Sequence, residues 1–375
     1  MRIKEIRVYQ HDLPVAGGPF RMASTTVSSL DTTIVEIITD TGIKGYGETC
    51  PVGPVYQPQH ARGARAALEE TGPALIGQNP LHTEQVYRTM ERSLNGSLYA
   101  KAAVDIACWD IAGKAYGVRV CDLLGGPFRE SVPSYYSIGV MPPEQSARTA
   151  SDKIREGFKR LQLKVGGRPL EEDVSAVKKV CEVLEPGVTL AVDANRGWTL
   201  QQAQLASLQL REFSFVLEQP CSSFEEIQTL TGRIPHPVFM DEAAADLSAV
   251  LQAYANRAAA GFALKCTRVG GISAMRTIRD ICRAARIPIT CDDSWGGDII
   301  AAACTHLGAT VEPELFEGTW IAQPYIENHY DPENGVRVKA GCITLPQAPG
   351  LGITPDVSPW GAPVLNFGPK NSRTL

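Results

Sequence analysis

Six short apolar segments in the middle of the chain each end on polar residues, and together they decide the fold. They read LQLK (161–164), LAVDAN (190–195), FVLEQP (215–220), VFMDE (238–242), FALK (262–265) and ITCDD (289–293). Each segment has the length of a buried strand and is too short for a buried helix. Stretches with helical spacing of apolar residues lie between them, as at Leu170–Leu184 and Ile272–Ala285. This alternation of strands and helices indicates a parallel sheet.

The alternation repeats at a regular interval. Eight predicted strands end roughly 25 residues apart, a distance that suits a strand, a helix and two loops, at Ser137, Lys164, Asp193, Glu218, Asp241, Lys265, Asp293 and Glu317. Eight parallel strands with such a period are typical of a TIM barrel. We therefore predict an α/β fold with a (β/α)7β-type TIM barrel over residues 128–343.

The chain on either side of the barrel has a different pattern. Residues 1–127 predict an α+β domain with strands first and helices after, at Arg2–His11, Thr32–Thr39, Gly42–Glu48, Ala61–Thr71, Leu81–Ser93 and Ala100–Tyr116. Residues 344–375 are rich in proline and glycine and cannot form another strand and helix, so we expect them to pack back on the first domain. The last residues, Pro369–Leu375, are expected to be loosely held.

The composition argues against several classes of protein. The net charge is −5 and there is no basic stripe, which argues against a nucleic-acid partner. No apolar run approaches the ~20 residues of a membrane span, and Met1–Ile6 lacks a signal-peptide core, so we expect a cytoplasmic protein. Ten scattered cysteines without a C-x-x-C pair favour reduced, mostly buried thiols.

Five successive predicted strands, the second to the sixth, end on charged residues in the symmetric order Lys164, Asp193, Glu218, Asp241 and Lys265. A single aspartate at a strand end is usually a helix cap and a single lysine there is usually solvated. Barrel active sites form at the carboxyl ends of the strands, so five charges in a symmetric order predict one site. The three carboxylates would repel each other without a cation, and oxygen ligands favour Mg²⁺, with Mn²⁺ as the alternative.

The two flanking lysines predict acid/base chemistry. A lysine pKa is normally about 10.4, but a nearby divalent cation and partial desolvation can lower it to about 7–8. A metal that binds a substrate carboxylate acidifies the α-proton of that substrate. The pattern therefore predicts proton abstraction from the carbon next to a carboxylate.

With these motifs the chain resembles the enolase superfamily, in its muconate-lactonizing-enzyme-like branch. The resemblance covers nearly the whole chain and includes GYGE (45–48), Asp105–Gly113 and LLGG (123–126). It implies that Asp193, Glu218 and Asp241 bind Mg²⁺ and that Lys164 and Lys265 are the acid/base pair, since sites of this superfamily use a lysine or histidine base with Mg²⁺. It also implies a homo-oligomer, and a capping domain whose loops near 14–22 and 50–60 close over the barrel.

The chain departs from the patterns of this superfamily at three places. Gln162 stands where the usual K-x-K motif has its first lysine. Strand seven carries no histidine, unlike the mandelate racemases, and strand eight lacks the D-x-D of the dipeptide epimerases. We expect Gln162 to support the site together with Asn195, Glu242 and Glu317.

Three further segments, at 50–56, 292–298 and 317–320, most resemble the 4-hydroxyproline betaine 2-epimerases. Tyr56 and Trp320 would offer aromatic faces and Asp293 a carboxylate, a combination that suits a quaternary ammonium group. The resemblance implies epimerisation at C2 of proline betaine or 4-hydroxyproline betaine, although Tyr56 could instead anchor its loop and Trp320 pack the rim. The alternatives are a cis-3-hydroxy-L-proline dehydratase, another amino-acid racemase or cycloisomerase of the branch, and a barrel scaffold without catalysis.

Overall fold

The structure, a computed structural model, describes residues 1–368, and the predicted tail at residues 369–375 lies outside this part of the chain. The first region contains five strands followed by four helices. They are β1 (Ile3–Pro14), β2 (Phe20–Arg21), β3 (Thr26–Val27), β4 (Ser29–Thr39), β5 (Lys44–Thr49), α1 (Ala61–Leu75), α2 (Thr83–Ser93), α3 (Leu98–Tyr116) and α4 (Val120–Leu123).

The barrel region follows a short strand, β6 (Ser131–Pro133). Its strands and helices alternate as β7 (Tyr136–Ile138), α5 (Pro143–Arg155), β8 (Arg160–Lys164), α6 (Leu170–Glu182), β9 (Thr189–Asp193), α7 (Leu200–Gln209), β10 (Val216–Glu218), α8 (Phe224–Leu230), β11 (Val238–Met240), α9 (Leu247–Ala255), β12 (Gly261–Lys265), α10 (Cys266–Val269), α11 (Ile272–Ala285), β13 (Ile289–Asp292) and α12 (Asp298–Ala309). The rest contains β14 (Val338–Lys339), β15 (Cys342–Thr344), β16 (Leu365–Phe367) and three 3₁₀ turns (Pro313–Leu315, Gln323–Tyr325, Ser358–Trp360).

The predicted α/β barrel with a capping domain is confirmed. Strands β7 to β13 form one parallel sheet in chain order, and the segment 316–319 closes it. Phe316 bridges to Ile289 of β13, and Thr319 bridges to Ser134 just before β7. The predicted eighth strand is therefore only these isolated bridges, and no helix of the barrel type follows it among the described residues.

The strands of the barrel are short because the chain leaves the sheet at the polar residues that lie at the barrel mouth. Strand β11 ends at Met240 and β13 at Asp292, each one residue before the predicted end. The residues of β8, β11, β12 and β13 are all buried, as expected for a parallel sheet covered on both faces. The apolar runs of β11 and β12 therefore predict strands even though they do not alternate with polar residues.

The cap is an antiparallel sheet, ordered β16-β1-β4-β5, with α3 packed against β5. Two glycines permit this close packing. A Cβ added at Gly47 would lie 1.7 Å from the carbonyl oxygen of Ala103, and one at Gly45 would lie 2.3 Å from that of Ala107. The motif GYGE thus has a structural reason at both of its glycines.

Glu48, the last residue of that motif, joins the cap to the barrel. Its carboxylate accepts hydrogen bonds from the main-chain nitrogens of Gly297 (2.9 Å) and Ile300 (3.3 Å) at the start of α12. Negative charge at the amino end of a helix is favourable, and this contact holds the cap above the barrel mouth.

The C-terminal segment returns to the cap, where β16 pairs with β1. We propose 1–127, 128–343 and 344–375 as the capping domain, the barrel and the returning segment. Among residues 1–368, every helix is too short or too polar to cross a membrane.

Candidate active site

Three carboxylates meet at the carboxyl ends of adjacent barrel strands. Asp193 ends β9, Glu218 ends β10 and Asp241 directly follows β11. Strands β9 and β10 pair in a register that places Glu218 beside Asp193. One oxygen of each carboxylate lies within 4.8 Å of the others, and all three side chains are buried.

The electrostatics of this group favour a bound cation. Burial, together with the charges of Asp193 and Asp241, raises the pKa of Glu218 to about 8. Three buried carboxylates with converging oxygens match the hard oxygen ligands that Mg²⁺ prefers. The donor set therefore fits Mg²⁺.

A lysine flanks the carboxylates on each side. Lys164 ends β8 and forms an ion pair with Asp193, while the Nζ of Lys265, which ends β12, lies 3.2 Å from Oδ2 of Asp241. Burial acts against the charged form of Lys164, but the carboxylates of Asp193 and Glu218 outweigh it and raise the pKa. The pKa of Lys265 is raised in the same way, against burial, by Asp241 and Asp292. The protein groups alone thus shift both lysine pKa values upward, and the expected lowering would have to come from the charge of the metal.

Gln162 contacts the metal-ligand candidate Glu218 directly. Its Nε2 donates to both carboxylate oxygens of Glu218, at 2.9 Å each, while its Oε1 accepts from Oγ of Ser137 at 2.8 Å. The serine hydroxyl therefore sets which end of the amide faces Glu218. Gln162 replaces a lysine by a neutral donor at this place.

Asn195 and Glu242 support the opposite side of the group. The main-chain nitrogen of Asn195 donates to Oδ1 of Asp193 at 2.7 Å, and its Nδ2 donates to Oδ2 at 3.0 Å. The same Nδ2 reaches Oε1 of Glu242 at 3.3 Å. Burial, followed by the charge of Asp241, raises the pKa of Glu242 to about 8.

Glu317 does not join these residues. It follows Phe316, which bridges to the first residue of β13, and so lies at the level where the barrel strands begin. Its carboxylate pairs with Arg160, the first residue of β8. The prediction placed Glu317 at the mouth because it counted Glu317 as a strand end, but the chain reaches the mouth only at Trp320.

A narrow cavity lies beside the lysines, between the barrel and the cap. It is lined by residues from both cap loops and from five places in the barrel, namely Phe20, Met22, Val52, Tyr56, Tyr135, Ser137, Gln162, Lys164, Lys265, Asp293, Ser294, Trp295 and Trp320. The cap thus supplies part of the wall through residues 14–22 and 50–60.

The three predicted substrate contacts all line this cavity. The hydroxyl of Tyr56 donates to Oδ2 of Asp241 at 3.0 Å, so this residue also contacts the carboxylate group. The carboxylate of Asp293 accepts from Thr267, through its main-chain nitrogen at 2.9 Å and its Oγ1 at 2.8 Å. Burial raises the pKa of Asp293 to about 6 despite these bonds. Trp320 is held through its main-chain nitrogen, which donates to Oδ1 of Asp292 at 2.7 Å.

Trp320 and three other aromatic rings form a continuous wall. From the sequence, only Trp320 was identified. Trp295 packs edge-on against Trp320 with ring centroids 5.4 Å apart, and Tyr325 lies at the same distance. Phe20 of the first cap loop packs edge-on against Trp295 at 5.6 Å. Phe20 and Trp295 fall in quoted segments, but the wall depends on contacts between cap and barrel that no spacing in the sequence reveals.

Arg268 was also missed. Its Nη1 lies 2.7 Å from Oδ1 of Asp241, and its side chain is buried. Arg268 follows Lys265 by three residues on the short helix α10, which turns it back toward the carboxylates. The sequence signal that could have identified Arg268 was its position three residues after Lys265, which ends a strand.

The chain matches two family models, one over the barrel and one over the cap. Residues 145–358 match the family model described as enolase C-terminal domain-like, and residues 3–125 match the mandelate racemase / muconate lactonizing enzyme N-terminal domain. A cis-3-hydroxy-L-proline dehydratase of Roseibium aggregatum is 37% identical over 98% of this chain and 100% of its own length. An N-succinyl-L-Arg/Lys racemase of Bacillus cereus is 30% identical over 94% of this chain and 95% of its own. A crystal structure of an enolase superfamily member from Roseovarius nubinhibens in complex with magnesium superposes with a TM-score of 0.93, at 31% identity, over 98% of this chain and 100% of that one.

Proposed function

The chain belongs to the mandelate racemase / muconate lactonizing enzyme branch of the enolase superfamily, and we propose that it is a Mg²⁺-dependent epimerase for an N-methylated proline derivative. The reaction is inversion at C2 of proline betaine or 4-hydroxyproline betaine. The observation that carries the proposal is a pair of lysines, Lys164 and Lys265, on opposite sides of one carboxylate group, beside a cavity lined by aromatic rings.

Two lysines on opposite sides suit inversion at a carbon between them. We propose that one lysine, as the free amine, takes the α-proton from one face of the substrate. The other lysine, as the ammonium ion, returns a proton to the opposite face, and the roles exchange for the reverse reaction. Lys164 beside Asp193 and Lys265 beside Asp241 hold these positions because each ends a barrel strand.

Asp193, Glu218 and Asp241 would hold the Mg²⁺ ion. Bound there, Mg²⁺ would supply positive charge beside the substrate carboxylate and so acidify the α-proton. Gln162 and Asn195 orient the carboxylates of Glu218 and Asp193 through the hydrogen bonds described above.

The cavity wall supports a substrate with a quaternary ammonium group. Such a group has no N–H to donate, so it is recognised by aromatic faces and by nearby negative charge. Trp320, together with Trp295 and Phe20, supplies the aromatic faces, and Asp293 supplies the carboxylate. Tyr56 completes the wall from the cap side.

A second candidate is dehydration of cis-3-hydroxy-L-proline. The relative from Roseibium aggregatum carries this activity in its name and matches almost the whole chain at 37% identity. In this substrate the C3 hydroxyl lies on the ring face opposite the α-proton. One lysine could remove that proton while the other protonates the departing hydroxide, so a lysine on each side suits this reaction as well.

One experiment separates the two reactions. The Mg²⁺-loaded protein is incubated in D₂O with proline betaine, 4-hydroxyproline betaine and cis-3-hydroxy-L-proline, and the α-proton is followed by NMR. Deuterium at C2 with inversion of that centre in a betaine supports epimerisation. Loss of the ring hydroxyl from cis-3-hydroxy-L-proline, without exchange in either betaine, would show that the reaction is dehydration and not epimerisation.

A further inference from the structure

The cap loop 50–60 is held over the cavity by its main chain as well as by its side chains. Nη2 of Arg196 donates to the carbonyl oxygen of Tyr56 at 2.7 Å and to that of Val55 at 3.2 Å. Arg196 belongs to the barrel, in the loop after β9, whereas both carbonyls belong to the cap. We propose that Arg196 is a positioning residue that fixes the cap loop over the substrate and thereby orients Tyr56.

The backbone around Arg196 supports a dedicated role. Asn195 and Arg196 have φ angles of 42° and 66°, so two consecutive residues with side chains lie in the left-handed region. That conformation costs free energy for residues other than glycine, and such strain concentrates at functional sites. At Asn195 it allows both the main chain and the side chain to donate to Asp193. Arg196 therefore directly follows a residue, Asn195, whose conformation is fixed by its hydrogen bonds to Asp193.

The guanidinium group of Arg196 also faces Glu242 on the barrel side. Its Nε lies 3.7 Å from Oε1 of Glu242, which also accepts from Asn195. The guanidinium group is planar and rigid, so a carboxylate on one edge and two carbonyls at Nη2 define its direction. The contact depends on no side chain of the loop, since only carbonyl oxygens accept from it.

Tyr56 is the residue through which Arg196 would act on the reaction. The ring of Tyr56 lines the cavity, and its hydroxyl donates to Asp241. Fixing the main chain at Val55 and Tyr56 limits the loop to positions in which this ring completes the cavity wall. Loss of the Arg196 contact should therefore weaken substrate binding more than the chemical step, because the lysines and carboxylates stay in place.

The test compares Arg196→Met, Arg196→Lys and Arg257→Met in the full, Mg²⁺-loaded chain. Arg257 is the matched control because it is an exposed arginine that also has a positive φ, at 51°, in the loop after α9. Limited proteolysis with chymotrypsin, which cleaves after Tyr56 when the loop opens, is measured first, without substrate. Arg196→Met should speed cleavage at Tyr56 by about tenfold, as expected for loss of hydrogen bonds to a charged donor. Arg196→Lys should restore part of the protection, and Arg257→Met should leave it unchanged.

The kinetic measurement rests on the proposed function, whereas the proteolysis measurement does not. With the substrate found active in D₂O, Arg196→Met should raise KM by about tenfold and lower kcat by less than about threefold. Cleavage at Tyr56 of Arg196→Met at the wild-type rate would overturn the proposal. So would faster cleavage at sites throughout the molecule, because it would show a general loss of stability. Inactivity toward all three substrates would count against the proposed function and leave the proteolysis result as the test of Arg196.

Discussion

At the scale of single residues, Gln162 shows how the chain departs from the pattern it otherwise resembles. A lysine at this place would put a third ammonium group beside Lys164 and Glu218. The amide instead donates to both oxygens of Glu218 and is oriented by Ser137. The sequence showed the departure but not its consequence, because the partner Glu218 lies 56 positions away in the chain.

We predict that Gln162→Leu weakens Mg²⁺ binding by about tenfold or more. The change removes the donor to Glu218 while keeping a side chain of similar volume, and partners that orient metal ligands are typically worth about 10–100-fold in affinity. Isothermal titration calorimetry with MgCl₂ measures the effect. Ser137→Ala should have a smaller effect in the same direction, since it frees the amide to turn. Equal Mg²⁺ affinity in all three proteins would contradict this role of Gln162.

At the scale of the elements, the sequence predicts best what depends on neighbours in the chain. The strands that end on Lys164, Asp193 and Glu218 were predicted to the residue, because a buried apolar run stops where a charge must face the mouth. The end of the eighth strand was not predicted correctly, because segment 316–319 makes only isolated bridges. Glu317 lies beside the first residues of the barrel strands and not at their carboxyl ends. The aromatic wall also lay beyond prediction, since it joins Phe20 of the cap to Trp295 of the barrel.

The packing of α3 on β5 gives a test at this scale. We predict that Gly47→Ala lowers the free energy of unfolding by about 3 kcal/mol or more, because the added Cβ would lie 1.7 Å from the Ala103 carbonyl oxygen and the helix must move. Urea denaturation followed by circular dichroism measures the change. Gly63→Ala is the control, since in helix α1 its Cβ would meet only the His60 ring, at 3.3 Å. A loss as small at Gly47 as at Gly63 would show that the two elements do not require this close approach.

At the scale of the whole molecule, cap, barrel and C-terminal segment meet around His306. This residue lies on α12 of the barrel and is fully buried. Its Nδ1 accepts from the main-chain nitrogen of Cys121 in the cap at 3.4 Å, and its Nε2 lies 3.2 Å from the carbonyl oxygen of Leu351 in the C-terminal segment. Burial lowers the pKa of His306 from 6.5 to about 4.

This pKa predicts a loss of stability in acid. Above pH 6.5 His306 is neutral in both the folded and the unfolded chain and contributes no pH dependence. Between pH 6.5 and about 4 only the unfolded chain binds the proton, so the free energy of unfolding falls by up to about 3 kcal/mol. Urea denaturation at several pH values should show this slope in the wild type and a shallower one in His306→Asn. An identical slope in both proteins would contradict the assignment.

The central claim is that Lys164 and Lys265 act on opposite faces of one α-carbon. The most direct test is α-proton exchange in D₂O, measured by NMR for each C2 isomer of the active substrate with Lys164→Ala and with Lys265→Ala. We predict that neither variant interconverts the two C2 isomers, and that each still exchanges the α-proton of one isomer only, a different isomer for each variant. Interconversion at the wild-type rate by either variant would contradict the account.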